Sequence, residues 1–140
     1  MRLVIDTNVL IAAFISHGVC NELLEHCVLN HDVVLSKFIL DELKEKLTNK
    51  FKFTNRDASA VVNLLTSRCS VVATQSLPSP VSRDPDDDNI IATALSGTCG
   101  CIITGDKDLL DLKKTGDILI VSPNQFWQIE EKRMDRLTHR

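Results

Sequence analysis

Short apolar runs separated by helix-length amphipathic segments constrain this chain more than any other feature of its 140 residues. Leu3-Val4-Ile5, Val33-Val34-Leu35, Cys101-Ile102-Ile103 and Ile118 to Val121 are too brief to be helices and are rich in β-branched residues, so each reads as a buried strand. A further strand is expected over Ser70 to Ala73. Between them the apolar spacing changes to helical. Val9 to Ile15 and Val19 to Val28 read as helical segments around His17-Gly18. Ser36 is placed to cap a helix over Lys37 to Leu47, and Asn55 to cap one running through Ala58, Val61, Val62, Leu64 and Leu65. Asp87 to Leu95 reads as a helix, Leu109 to Leu112 as a short helical piece, and Ser122 as the cap of a last helix through Phe126, Trp127 and Ile129. Five strands alternating with helices imply a mostly parallel sheet covered on both faces. The stretch Thr74 to Arg83, with Ser76, Pro78, Ser79, Pro80 and Ser82, reads as a loop inside one domain spanning 1–140, because too little chain follows it for a second domain.

Several function classes are set aside by composition. No run approaches the length of a membrane span, and the N-terminus lacks the shape of a signal peptide, so a soluble cytoplasmic protein with no membrane partner is expected. Cys20, Cys27, Cys69, Cys99 and Cys101 are odd in number and show no C-x-x-C spacing, which fits free thiols in a reducing compartment, and the close pair Cys99 and Cys101, leading into an apolar strand, reads as buried. His17, His26, His31 and His139 form no zinc-like spacing, so no structural zinc is expected. The net charge of −3 argues against a generic nucleic-acid coat. Its distribution is uneven, however. Lys37, Lys44, Lys46, Lys50, Lys52 and Arg56 gather around one helix and its exit, and Lys132, Arg133, Arg136 and Arg140 recur near the C-terminus. Such flanks would suit a phosphate backbone, although solvated helical faces carry the same residues.

Acids at strand ends and helix starts carry the functional signal. Asp6 follows Leu3-Val4-Ile5 directly, and the carboxyl end of a parallel strand is where such sheets bind ligands. Asp106 follows Cys101 to Ile103 through Thr104 and Gly105, with Gly105 permitting a sharp turn. Either acid could instead cap the helix after it. In RDPDDDN, Ile90, Ile91, Ala94 and Leu95 mark the buried stripe, and Asp87 lies in phase with it while Asp88 is rotated aside. Glu42 flanks the face marked by Ile39, Leu40, Leu43 and Leu47. Carboxylates collected at one edge repel unless a cation sits among them, so Asp6, Glu42, Asp87 and Asp106 suggest a hard divalent metal on oxygen ligands. Asp84, Asp88 and Asp108 are secondary candidates.

The segments VIDTNVLIAAF, SKFILDELKEKL, DPDDDNIIATAL, CIITGDKDLL and ILIVSPNQFW, in this order, resemble PIN-domain nucleases, in particular the small bacterial VapC-like toxins of toxin-antitoxin pairs. The resemblance covers nearly the whole chain. It implies a three-layer α/β/α sandwich around a parallel sheet of about five strands, and a Mg²⁺- or Mn²⁺-dependent ribonuclease. Carried over by position, the catalytic and metal-binding quartet becomes Asp6, Glu42, Asp87 and Asp106, supported by Thr7, Asn8 and Thr104. It also implies an RNA substrate, a small antitoxin partner and the option of a homodimer. Three consecutive acids, Asp86 to Asp88, leave the alignment open to a one-residue slip, and helical phase favours Asp87. Two alternatives stand beside this one. A receiver-like phosphoacceptor domain needs adjacent acids after the first strand and a lysine at the end of the last, where this chain has Asp6-Thr7-Asn8 and Val121-Ser122-Pro123. A catalytically silent PIN-like scaffold, working by protein binding, is argued against by the intact quartet, and an RNA-processing factor would keep the same chemistry in a role other than that of a toxin.

Overall fold

In the structure, a computed structural model, residues 1–74, 77, 79–81 and 84–138 are described. Gln75, Ser76, Pro78, Ser82 and Arg83 of the expected loop, together with His139 and Arg140, lie outside them. The chain runs β1 (Arg2–Ile5), α1 (Thr7–Ile15), α2 (Val19–Asn30), β2 (Asp32–Ser36), α3 (Lys37–Asn49), α4 (Asn55–Arg68), β3 (Ser70–Val72), α5 (Pro85–Ser96), β4 (Cys101–Ile103), α6 (Lys107–Leu112), β5 (Lys114–Thr115), β6 (Ile118–Val121) and α7 (Pro123–Thr138). The sheet order is β3-β2-β1-β4-β6-β5, parallel throughout except for the β5–β6 pair. Among the described residues six strands are present where about five were expected. The additional one, β5, is two residues long and polar, too short to produce a period-2 signal.

Strand order determines where a ligand can enter. The chain builds outward from β1 through β2 to β3, then returns to place β4 on the other side of β1. Right-handed crossovers in opposite directions put helices on both faces, giving three α/β/α layers. Beyond the carboxyl ends of β1 and β4 lies the crevice that such a reversal opens. The two strands are in register at Leu3 with Cys101, Val4 with Ile102 and Ile5 with Ile103, so the residues that follow them emerge side by side.

Apolar packing holds this frame. Leu3, Val4, Val34, Leu35, Ile102 and Ile103 are fully buried in the sheet. From α3, Ile39, Leu40, Leu43 and Leu47 press on it at helical spacing, leaving Glu42 and Lys46 together on a flank. Ser36 Oγ accepts from the Ile39 backbone and caps α3 as expected, whereas the cap of α4 is Thr54 rather than Asn55. On α5, Leu95 is exposed although the stripe was expected to include it. At 100° per residue Leu95 sits about 80° around the helix from Asp87. Thr93, whose hydroxyl donates to Ser36 Oγ at 2.8 Å, brings the opposite flank inward instead. No single helix among the described residues is long and apolar enough to cross a membrane.

Candidate metal centre

Asp6 leaves β1 with its backbone N–H donating to Ile103 O at 2.9 Å, an extension of the β1–β4 ladder that fixes the residue beside β4. It holds the N-cap position of α1, yet its side chain makes no capping bond. Oδ2 instead accepts from the buried Thr104 hydroxyl at 2.6 Å. The same Thr104 oxygen accepts from the Asp106 backbone N–H at 3.0 Å, so one threonine positions both acids. Gly105, expected to serve a sharp turn, has no positive φ and no neighbour close to where a Cβ would stand. The hydroxyl of Thr104, rather than glycine freedom, shapes this bend.

Asp106 does cap its helix, with Oδ1 accepting from the Asp108 and Leu109 backbones at 2.8 and 3.4 Å. Asp84 caps α5 in the same way through the Asp86 backbone at 2.9 Å. Capping and membership of the acidic cluster coexist in these two residues. One carboxylate oxygen from each of Asp84, Asp87 and Asp106 lies within 4.8 Å of the others. Asp87, 4 % exposed, reaches this point from the inward face of α5. Asp88 turns away and accepts from the Val81 N–H at 3.1 Å.

Together these residues line a cleft of about 60 Å³ formed by Asp6, Asn8, Glu42, Lys46, Asp84, Asp86, Asp87, Ile90 and Asp106. All four acids of the expected quartet are there, joined by Asp84 and Asp86. Asp88 and Asp108 are not among the lining residues. Of the supporting polar residues, Thr104 holds Asp6, and Asn8 Oδ1 accepts from Lys46 Nζ at 3.3 Å. Thr7 is fully buried, and its Oγ1 is a buried side-chain oxygen without a hydrogen-bond partner among the described residues.

Sequence reasoning missed two charged cleft residues: Asp86, which it did not put among the candidates, and Lys46, which it counted only among the basic flank. The signal was present: Lys46 lies four residues after Glu42, on the same helical face. Elsewhere on that flank Lys37 is paired with Asp41 at 3.5 Å, and Lys44 and Lys50 are exposed. Beside the cleft, sharing Glu42, Lys46 and Asp86 with it, is a groove of about 390 Å³ that adds Phe38, Asp41 and Glu45.

Electrostatics follow from this crowding. Burial pushes the Asp6 carboxyl above its ordinary range; hydrogen bonds from the Thr104 hydroxyl and the Thr7 backbone partly oppose this, and the charges of Glu42 and Asp106 add to it. Among the described lining residues, six carboxylates and the Lys46 ammonium share a small volume. A donor set made of carboxylate oxygens suits a hard divalent cation such as Mg²⁺ or Mn²⁺ and not a soft one.

The PIN domain family model matches residues 2–108. The uncharacterized protein MJ1680 of Methanocaldococcus jannaschii is 32% identical over 148 aligned residues, covering 94% of this chain and 93% of that protein. Among solved structures, the chain resembles VapBC2 from Rickettsia felis bound to a DNA fragment from their promoter, with a TM-score of 0.64 at 14% identity over 87% of this chain and 98% of that one. It also resembles VapC20 of Mycobacterium tuberculosis, a Sarcin-Ricin loop cleaving toxin, with a TM-score of 0.59 at 12% identity over 84% and 98%.

Proposed function

The chain belongs to the PIN domain family, and on that premise we propose that it is a metal-dependent endoribonuclease acting as the toxin of a toxin-antitoxin pair. The observation that carries this is the convergence of acids from β1, α3, α5 and the β4–α6 turn on one cleft at the carboxyl edge of the sheet. Asp6, Glu42, Asp87 and Asp106, with Asp84, would hold Mg²⁺ or Mn²⁺. Such an ion, when bound, lowers the pKa of water and offsets charge on a phosphodiester in its transition state.

The chain's own residues perform the remaining work. Thr104 keeps Asp6 and Asp106 at a fixed separation, so the ligands are set before substrate arrives. Lys46, held by Asn8 at the cleft, supplies a cation for a substrate phosphate. Lys44 and Lys50, exposed on α3 and at its end, would follow the RNA backbone without reading sequence. The toxin assignment is supported by the likeness to VapBC2 and VapC20, which also supports a small antitoxin as partner, a homodimer and a cytoplasmic setting. Purified protein should cleave single-stranded or structured RNA with Mg²⁺ or Mn²⁺ present and stop on chelation. Undiminished cleavage in excess EDTA would overturn the metal mechanism, and no cleavage with either ion would favour the silent scaffold.

A further inference from the structure

At the opposite edge of the sheet lies a second group of ligand atoms that the nuclease reading leaves unused. His26 is on α2, His31 joins α2 to β2, and Glu130 is on α7. Nε2 of His26 lies 2.9 Å from Glu130 Oε1, and Nε2 of His31 contacts the same oxygen. One ligand atom from each of the three residues falls within 4.8 Å of the others. Glu130 is 3 % exposed, on a helix that otherwise presents mostly polar residues to solvent. His31 directly precedes β2, whose Asp32 N–H donates to Met1 O ahead of β1 at 2.9 Å. The group therefore sits at the amino ends of these strands, while the acidic cleft lies past their carboxyl ends. A strand of four residues such as β1 separates the two edges by about 13 Å.

We propose that His26 Nε2, His31 Nε2 and Glu130 Oε1 form a binding site for one borderline transition-metal ion of the Zn²⁺ class, separate from the acidic cleft. Two imidazoles and one carboxylate form the donor set of open zinc sites, in which three protein ligands leave a fourth position to solvent or a further ligand. Imidazole selects Zn²⁺, Co²⁺ or Ni²⁺ over Mg²⁺, which takes oxygen. Ligand atoms on a tetrahedral zinc stand roughly 3.3 Å apart, as bonds near 2.0 Å require. Small side-chain movements bring the three atoms to that spacing.

Neighbouring groups hold both rings in place. The outer nitrogens are engaged: His26 Nδ1 faces Asn30 Nδ2 at 3.3 Å, and His31 Nδ1 faces the Met1 amino group at 3.3 Å. Partners there orient the rings and select the tautomer. Without a metal, each Nε2–H donates to Glu130. On binding, the Nε2 proton of each ring leaves, to Nδ1 or to solvent, and the exposed Asn30 amide and Met1 amino group turn aside to make room. Trp127 and Phe126 pack against the two rings at centroid distances of 4.8 and 5.7 Å, excluding water from one side. His26, with 18 % of its side chain exposed, marks the route of entry. The ion would tie α7 to α2 and to the start of β2.

Co²⁺ is the probe, added to the full chain carrying Asp6→Asn and Asp106→Asn so that the acidic cleft contributes little. One equivalent should bind and develop visible d–d absorption, and one equivalent of Zn²⁺ should erase it. His26→Gln, at the exposed ligand, should weaken binding at least tenfold while the circular dichroism spectrum stays unchanged. Zn²⁺ should raise the melting temperature of the His26 form and leave that of His26→Gln unmoved. Absent d–d bands, or bands and affinity indifferent to His26→Gln, would overturn the proposal and leave the three residues a hydrogen-bonded clasp. Because the probe reads binding and not cleavage, failure here is distinct from failure of the nuclease assignment.

Discussion

The two edges of the sheet handle buried carboxylate in opposite ways. At the amino edge, burial of Glu130 would raise its pKa, but the hydrogen bonds and charges of His26 and His31 bring it below the usual carboxylate range. At the carboxyl edge Asp6 is raised, because burial and the nearby charges of Glu42 and Asp106 outweigh its hydrogen bonds. Glu130 is offset by its two histidine partners, whereas Asp6 is buried beside further carboxylates. A buried carboxylate crowded in this way weakens the metal-free fold and is expected to gain from a divalent cation, as a binding site should.

The largest test of this contrast is Asp106→Asn. Removing one ligand from the acidic cleft should lower RNA cleavage roughly 1,000-fold, about 4 kcal/mol at 1.36 kcal/mol per decade. An activity within tenfold of the parent would place the chemistry elsewhere. Asp87→Asn should follow at roughly 100-fold or more, whereas Asp88→Asn, whose carboxylate is committed to the Val81 backbone, should stay within a few-fold. A reversed ranking would mean that the inward phase of α5 does not choose the ligand.

Smaller effects refine the electrostatics. Lys46→Gln should slow cleavage about tenfold, and replacing Lys44 and Lys50 together should weaken binding evenly across RNA sequences and reduce the salt slope by about 1–2. A change confined to one sequence would contradict backbone tracking. The smallest effect is on stability. Asp6 has a folded-state pKa above that of the unfolded chain, so its favourable contribution is complete in acid and is lost as pH climbs through the folded value. Asp6→Asn should therefore melt progressively higher than the parent as metal-free samples go from acid to neutral pH. Mg²⁺ should raise the parent's melting temperature much more than the variant's. A difference that does not change with pH would mean that burial does not penalise this carboxylate.

Legibility in the sequence divides along the same line. Asp6 and Asp106 each end an apolar run, and Asp87 stands in phase with Ile90, Ile91 and Ala94, so local pattern was enough to single them out. Asp84, only a secondary candidate in the sequence, caps α5, and only the fold brings it within reach of Asp87 and Asp106. The His26–His31 spacing carries no metal signature of its own, since the third member of the group lies 99 positions beyond His31. Even the free thiols conform to the sequence pattern: burial pushes Cys27 and Cys101 up to about 12, which makes them packing residues and not nucleophiles. Strand order was illegible because neighbours in a parallel sheet are joined by crossovers whose destination no local spacing encodes.

That order also has a consequence for biosynthesis. The pairing of Leu3 with Cys101 joins the first strand to one made almost a hundred residues later, and β6 can pair with β4 only after that. Contacts of such long sequence separation form late and slowly. Until β4 emerges from the ribosome, β1 has one edge unpaired, and Asp6 lacks both Thr104 to hold it and Asp106 to face it. A nascent chain therefore carries Asp6 well before it can assemble the cleft, which must wait until synthesis has passed Asp106.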